Sequence, residues 1–444
     1  MKPKFSVLVL AFLVFSSTAL ANASSAEQLA AQAVSEDYSA AMSAIRELRT
    51  MGSTGLDALF VRYAAEIERF SKTGEADDSW KRIANAIDMV AMQKDAYASH
   101  LYWYTDLATA KRVADKEKKP ILTLRLLGNL NEEFSCANSR LFRAMLYPNA
   151  DISKYLRDNY ILHWQSVRPA PRITIDFGDG RKIERTITGN SIHYILDSDG
   201  EVIDALPGLY SPLAFKKYLT QANEMNNVLK GMANERHALV LMKYRKMSYD
   251  QIIQKRTKAV AAARVELKEA VEPPPSPTAP GDVALVRIVP TAILAAPRAM
   301  AKMVVTDEYS ILRVYDDFAK FEPSVRFDDW NKLAKLYSPN LAVDENSTAF
   351  IRRQNAKTGL SEADFGRLFA KLNHFMALDT TRNDFLYHAK LYEWLNDGSR
   401  GKTDLERFNS RVYDQIFQTP DYDKWLGLYS PDVYTALDGN GIIK

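Results

Sequence analysis

Cys136 is the single cysteine of this 444-residue chain and the side chain best suited to covalent chemistry. A lone thiol can form a mixed disulfide with a partner or be oxidised to a sulfenic acid, and its thiolate form is the nucleophile. Arg140, one helical turn further on, favours the anion, whereas Glu132 and Glu133 just upstream oppose it. One cysteine excludes an internal disulfide and any multi-cysteine zinc or iron–sulfur site. The six histidines (His100, His163, His193, His237, His374 and His388) show no metal-ligand spacing, so neither a metal nor a cofactor is expected. His163 and His193 are expected on neighbouring strands, and a Cys136–His193 pair would join a nucleophile to a base. No triad order or glycine elbow accompanies that pair, and strand histidines with satisfied hydrogen bonds are the simpler expectation. Asp197-Ser198-Asp199-Gly200 lacks the distal Glu of a calcium loop, and Asp176-Phe177-Gly178 lacks every other kinase element, so both read as turns.

These residues need strands and helices to position them. Residues 26–98 carry apolar side chains at helical spacing, with Met51-Gly52-Ser53-Thr54-Gly55 as a break. A helix through Leu107–Ala114 ends in the charged run Asp115–Lys119, and Pro120 opens the strand Ile121–Leu127. The pattern predicts a helix from Ser139 to Arg157 and a second strand over Tyr160–Val167. Two hairpins follow, one turning at Gly178-Asp179-Gly180 and the other at Asp197–Gly200, before a closing helix near Pro212. The order is that of a mixed sheet covered by helices. A polar helical stretch runs from Asn223 to about Glu269. Residues 272–281 are a proline-rich linker, and amphipathic helices resume beyond 283 with Phe318, Trp330, Phe369, Phe375, Trp394 and Trp425 as aromatic anchors.

The N-terminus has the three-part pattern of a secretory signal. Lys2 and Lys4 precede the apolar run Phe5–Phe15, and Ala19-Leu20-Ala21 and Ala21-Asn22-Ala23 offer small-residue cleavage sites. The apolar run is shorter than the roughly 18–20 residues that span a bilayer, so no stable membrane anchor is expected. The 58 Lys+Arg against 55 Asp+Glu leave a charge of +3, too small a surplus to imply nucleic-acid binding. The organisation expected is a signal peptide over 1–23, a helical region over 24–99, an α/β domain over 100–222 and a helical segment over 223–270. A linker over 271–282 and a helical C-terminal domain over 283–444 complete it. The mature chain is expected to be exported, periplasmic or extracellular.

Across 103–220 the chain resembles the thioredoxin-like superfamily. Trp103, Ala110, Ala114, Lys119-Pro120-Ile121-Leu122, Cys136, Leu146-Tyr147, Asn149, Ile152, Leu156 and Tyr160-Ile161-Leu162 carry the likeness, with Asp199-Gly200-Glu201-Val202 and Leu206-Pro207-Gly208 behind them. The resemblance implies an α/β thioredoxin-like sandwich, here flanked by all-α N- and C-terminal regions. In that family a Cys-x-x-Cys opens a helix and a cis-proline faces it. Here Ser139 takes the second cysteine position, and Ser191 takes the proline position. A serine hydroxyl cannot resolve a mixed disulfide, so self-contained dithiol catalysis is not expected.

Two functional expectations follow. In the first, Cys136 serves monothiol binding or a redox-accessory role, Arg140 biases its ionisation, and Ser139, Ser191 and His193 line the site. In the second, a degenerate thioredoxin fold acts as a non-catalytic scaffold for a protein partner.

Overall fold

The computed structural model describes residues 25–186, 189–265, 327–337, 343–397, 402–417, 419–420, 422, 424, 436–437 and 442. The signal segment, the proline-rich linker, Phe318 and Trp425 lie outside them.

The N-terminal helices are α1 (residues 25–32), α2 (Tyr38–Thr50), α3 (Ser53–Arg62), α4 (Ala64–Thr73) and α5 (Asp78–Ala91). Asp37 and Asp77 cap α2 and α5 by accepting backbone N–H groups that a helix start leaves unpaired. Gly55 permits close packing of α3 on α2, since a Cβ there would lie 2.0 Å from the Leu48 carbonyl oxygen. Leu48, Leu56, Leu59, Trp80, Ile83, Ile87 and Val90 form a hydrophobic cluster of this region.

The centre of the molecule is a five-stranded mixed sheet. Its strands are β1 (Trp103–Tyr104), β2 (Ile121–Leu127), β3 (Ile161–Arg168), β6 (Ser191–Leu196) and β7 (Val202–Pro207), in spatial order β1-β3-β2-β6-β7. β1, β3 and β2 are mutually parallel, β6 runs antiparallel to β2, and β7, antiparallel to β6, returns to the direction of the first three. Helix α6 (Leu107–Glu117) connects β1 to β2. A separate antiparallel ribbon, β4 (Arg172–Asp176) with β5 (Lys182–Thr186), replaces any helix between β3 and β6.

The single helix expected over Ser139–Arg157 is three pieces. They are α7 (Ala137–Leu141), a π-helical turn (Phe142–Leu146) and α8 (Ala150–Asn159). Pro148 has no N–H to continue the helix, and the Asn149 side chain caps the restart by accepting from Ile152 N at 3.0 Å. The strand positions also differ from expectation. β2 lies between β3 and β6, so His163 and His193 are not on neighbouring strands. His163 pairs in register with Thr123 and His193 with Leu124, which places the two imidazoles on opposite faces.

After β7 the chain forms α9 (Pro212–Leu229) and the 30-residue α10 (Asn234–Ala263). The later helices are α11 (Phe327–Tyr337), α12 (Glu345–Gln354), α13 (Glu362–Arg382), α14 (Ala389–Asp397) and α15 (Leu405–Arg411). π-helical turns follow α13 (Asn383–His388) and α15 (Val412–Ile416). Trp330, Phe375 and Trp394 are buried in a hydrophobic cluster that also contains the sheet, so the described C-terminal helices share one core with it. Among the described residues no helix is long and apolar enough to cross a membrane.

Candidate functional site

Cys136 follows a loop that leaves the C-terminal end of β2. Gly128 starts this loop with φ +75°, and a Cβ there would sit 3.1 Å from Ser135 Cα, so the turn requires glycine on both counts. The Cys136 N–H donates to Leu127 O at 3.0 Å, which returns the chain to the strand end. The thiol is fully buried, with Sγ 3.6 Å from Ser139 Oγ. Ser139 donates to the Cys136 carbonyl at 2.8 Å, and its oxygen is 2.6 Å from Ser135 Oγ. Ser139 therefore stands beside the sulfur, where the sequence places it, but as part of a closed hydroxyl–carbonyl knot.

Arg140 donates from Nε to Ser135 O at 3.3 Å and from Nη2 to Thr186 Oγ1 at 2.8 Å. These bonds tie the end of the β4–β5 ribbon to the cysteine loop. Ser191 begins β6 and is fully buried, and its hydroxyl has no hydrogen-bond partner among the described residues. Its neighbours are taken up by other parts of the chain. Asn138 donates to Gly189 O, Tyr413 donates to Asn190 O at 3.3 Å, and Asn190 Nδ2 donates to Thr419 Oγ1 at 3.1 Å.

His193 does not serve as base to the thiol. Its Nε2 is 2.9 Å from Tyr147 Oη, and its ring lies between Phe142 and Phe215 at centroid distances of 4.7 and 5.0 Å. Burial pushes its pKa down to about 3. Burial, reinforced by neighbouring Cys136, pushes the Tyr147 phenol well above its ordinary value. The pair is thus neutral at ordinary pH, a hydrogen bond between an un-ionised phenol and an uncharged imidazole. Tyr413, on the C-terminal π turn, is likewise pushed well above its usual value by burial and then by Cys136. The sulfur therefore lies near two un-ionised phenols.

A second polar centre, at β7, was not singled out in the sequence. Asp204 is fully buried and accepts from Tyr392 at 2.9 Å, with His388 Nε2 2.7 Å from its other oxygen. Asp384, one turn before His388, accepts from Tyr218 at 2.9 Å and from Lys255 Nζ at 3.0 Å. Burial alone would lower the His388 pKa, but the charge and hydrogen bond of Asp204, with Asp384 behind it, raise it to about 9. Burial opposes ionisation of Asp384 too, and bonding to His388 and Lys255 holds its pKa below the usual value. The signals were an acid inside the apolar strand Val202–Leu206 and the Asp384/His388 spacing of four. Spacing alone cannot connect groups 184 residues apart.

Among the described residues no group of three His, Cys, Asp or Glu side chains is arranged to hold a metal ion. No protein-family model, curated protein or solved structure matches the chain.

Proposed function

We propose that this chain is an exported, thioredoxin-like protein whose former thiol site has become a structural joint, and that it acts as a non-catalytic scaffold for a protein partner. The observation that carries the reading is the full burial of Cys136 within the Ser135–Ser139 knot. Reactive cysteines occupy partly exposed, electropositive surroundings, and a buried structural thiol is inert. The thioredoxin-like assignment is supported by the β1-β3-β2-β6-β7 order, in which β6 alone runs against the other four strands, and by a cysteine at the start of the helix after β2. Export rests on the three-part N-terminal pattern.

The test is labelling of the full chain with a fluorescent maleimide. We expect Cys136 to react only at the rate of unfolding and Cys136→Ala to capture the same partners as the wild type. Stoichiometric labelling of the folded protein would instead support monothiol exchange. For export, the expected result is a mature N-terminus after Ala21 or Ala23; an intact Met1 end on secreted protein would refute cleavage.

A further inference from the structure

The central strand of the sheet presents unlike side chains to its two faces. Leu122, Leu124 and Leu126 occupy one face, while Thr123 and Arg125 follow Ile121 on the other, beside His163 and Gln165 of β3 and Tyr194 and Ile192 of β6. Arg125 is 1 % exposed, yet the two groups that bind its guanidinium, Gln165 and Glu406, are exposed themselves. The Glu406 side chain keeps 62 % of its surface in water. Arg125 Nε and His163 Nε2 are buried and have no acceptor or donor among the described residues. Tyr194, whose charge environment includes Arg125, donates to Asn409 at 3.0 Å on the same helix as Glu406.

A guanidinium sealed beneath the sheet surface requires an anion, because an unpaired buried charge is strongly unfavourable. Glu406 supplies that anion from a seven-residue helix 281 positions away. Leu405, Phe408 and Val412 anchor the helix by their burial. The Glu406 carboxylate can therefore rotate into solvent while the helix stays seated. The planar fork of arginine accepts any carboxylate arriving along the same path.

We propose that the Arg125–Gln165 corner is a carboxylate-recognition site, that Glu406 occupies it as a resident ligand, and that an acidic side chain of a partner protein replaces it. This rests on the scaffold reading above. Glu406 then acts as an internal competitor, and affinity for an outside carboxylate is reduced by the fraction of time it holds the site.

The experiment uses the full chain with Glu406→Ala and with Arg125→Lys/Glu406→Ala, each checked for folding by circular dichroism. Sodium acetate is exchanged for chloride at constant ionic strength. The expected result is a thermal midpoint that rises with acetate in Glu406→Ala, rises less in the double variant and stays flat in the wild type. A Glu406→Ala midpoint indifferent to acetate, or a response equal in both variants, overturns the site. A labelled glutamate-containing peptide and its glutamine counterpart are then titrated. The glutamate peptide is expected to bind Glu406→Ala about tenfold tighter than the wild type, with no such gain for the glutamine peptide. An acetate response without that preference retains the anion site and overturns the protein partner, and with it the scaffold reading at this face.

Discussion

The cysteine corner and the Asp204–His388 centre are both buried, and both contain a histidine, yet their electrostatics are opposite. At the cysteine corner His193 meets a neutral phenol and two phenylalanine rings, and its pKa falls to about 3. At β7, His388 meets Asp204 and Asp384, and its pKa rises to about 9. Burial acts on both imidazoles in the same direction, so the carboxylates decide the sign. The corner that resembles a catalytic motif holds no charge at neutral pH on His193 or Tyr147. The corner without a motif holds an ion pair that ties β7 to the C-terminal helices.

The strongest test of that contrast removes Asp204. Asp204→Ala leaves the imidazolium and the Tyr392 hydroxyl without their acceptor, and the expected loss is about 3–5 kcal/mol in urea unfolding. A loss below about 1 kcal/mol would remove the ion pair from the account. The next effect is alkaline. Because the folded pKa of His388 lies above the unfolded one, its stabilisation is complete below pH 6.5 and disappears as pH rises through about 9. That contribution amounts to roughly 3 kcal/mol, read as a pH-dependent gap between wild type and His388→Gln that closes on the alkaline side.

His193 has the reverse linkage. Its folded pKa is depressed, so the unfolded chain takes up the proton first and stability falls as pH drops below 6.5 toward about 3. Substitution His193→Leu should flatten the acid limb by about 1 kcal/mol per pH unit; an unchanged limb would show that the imidazole is already charged in the fold. The smallest effect belongs to the cysteine. Cys136→Ala should lower stability by only about 1 kcal/mol, the scale of one buried apolar group. A loss comparable to that of Asp204→Ala would make the thiol the more important of the two corners.

Much of the sheet was legible from local pattern. Pro120 followed by an apolar run marks β2, and Gly178-Asp179-Gly180 marks the ribbon turn. Ser139 was legible beside Cys136 because a helical turn fixes their distance. The role of His193 was not, since it depends on strand order, and a strand inserted between two others changes which faces meet. The break at Pro148 was readable in principle, but the apolar spacing on both sides of it continues a single stripe. The Asp204 centre combines β7, α9, α10 and the turn after α13, and no spacing within any one of them encodes the assembly.

The unlike faces of β2 also bear on how the protein is made. The chain emerges from its N-terminus, so Arg125 exists for a long interval before Glu406 is synthesised to pair with it. A leucine face left uncovered for that interval would invite aggregation, whereas hydroxyl, guanidinium and imidazole groups are satisfied by water. On the leucine face, His193, the register partner of Leu124, lies between Phe142 and Phe215. Thr123, Arg125 and His163 are thus the part of that face able to wait in water.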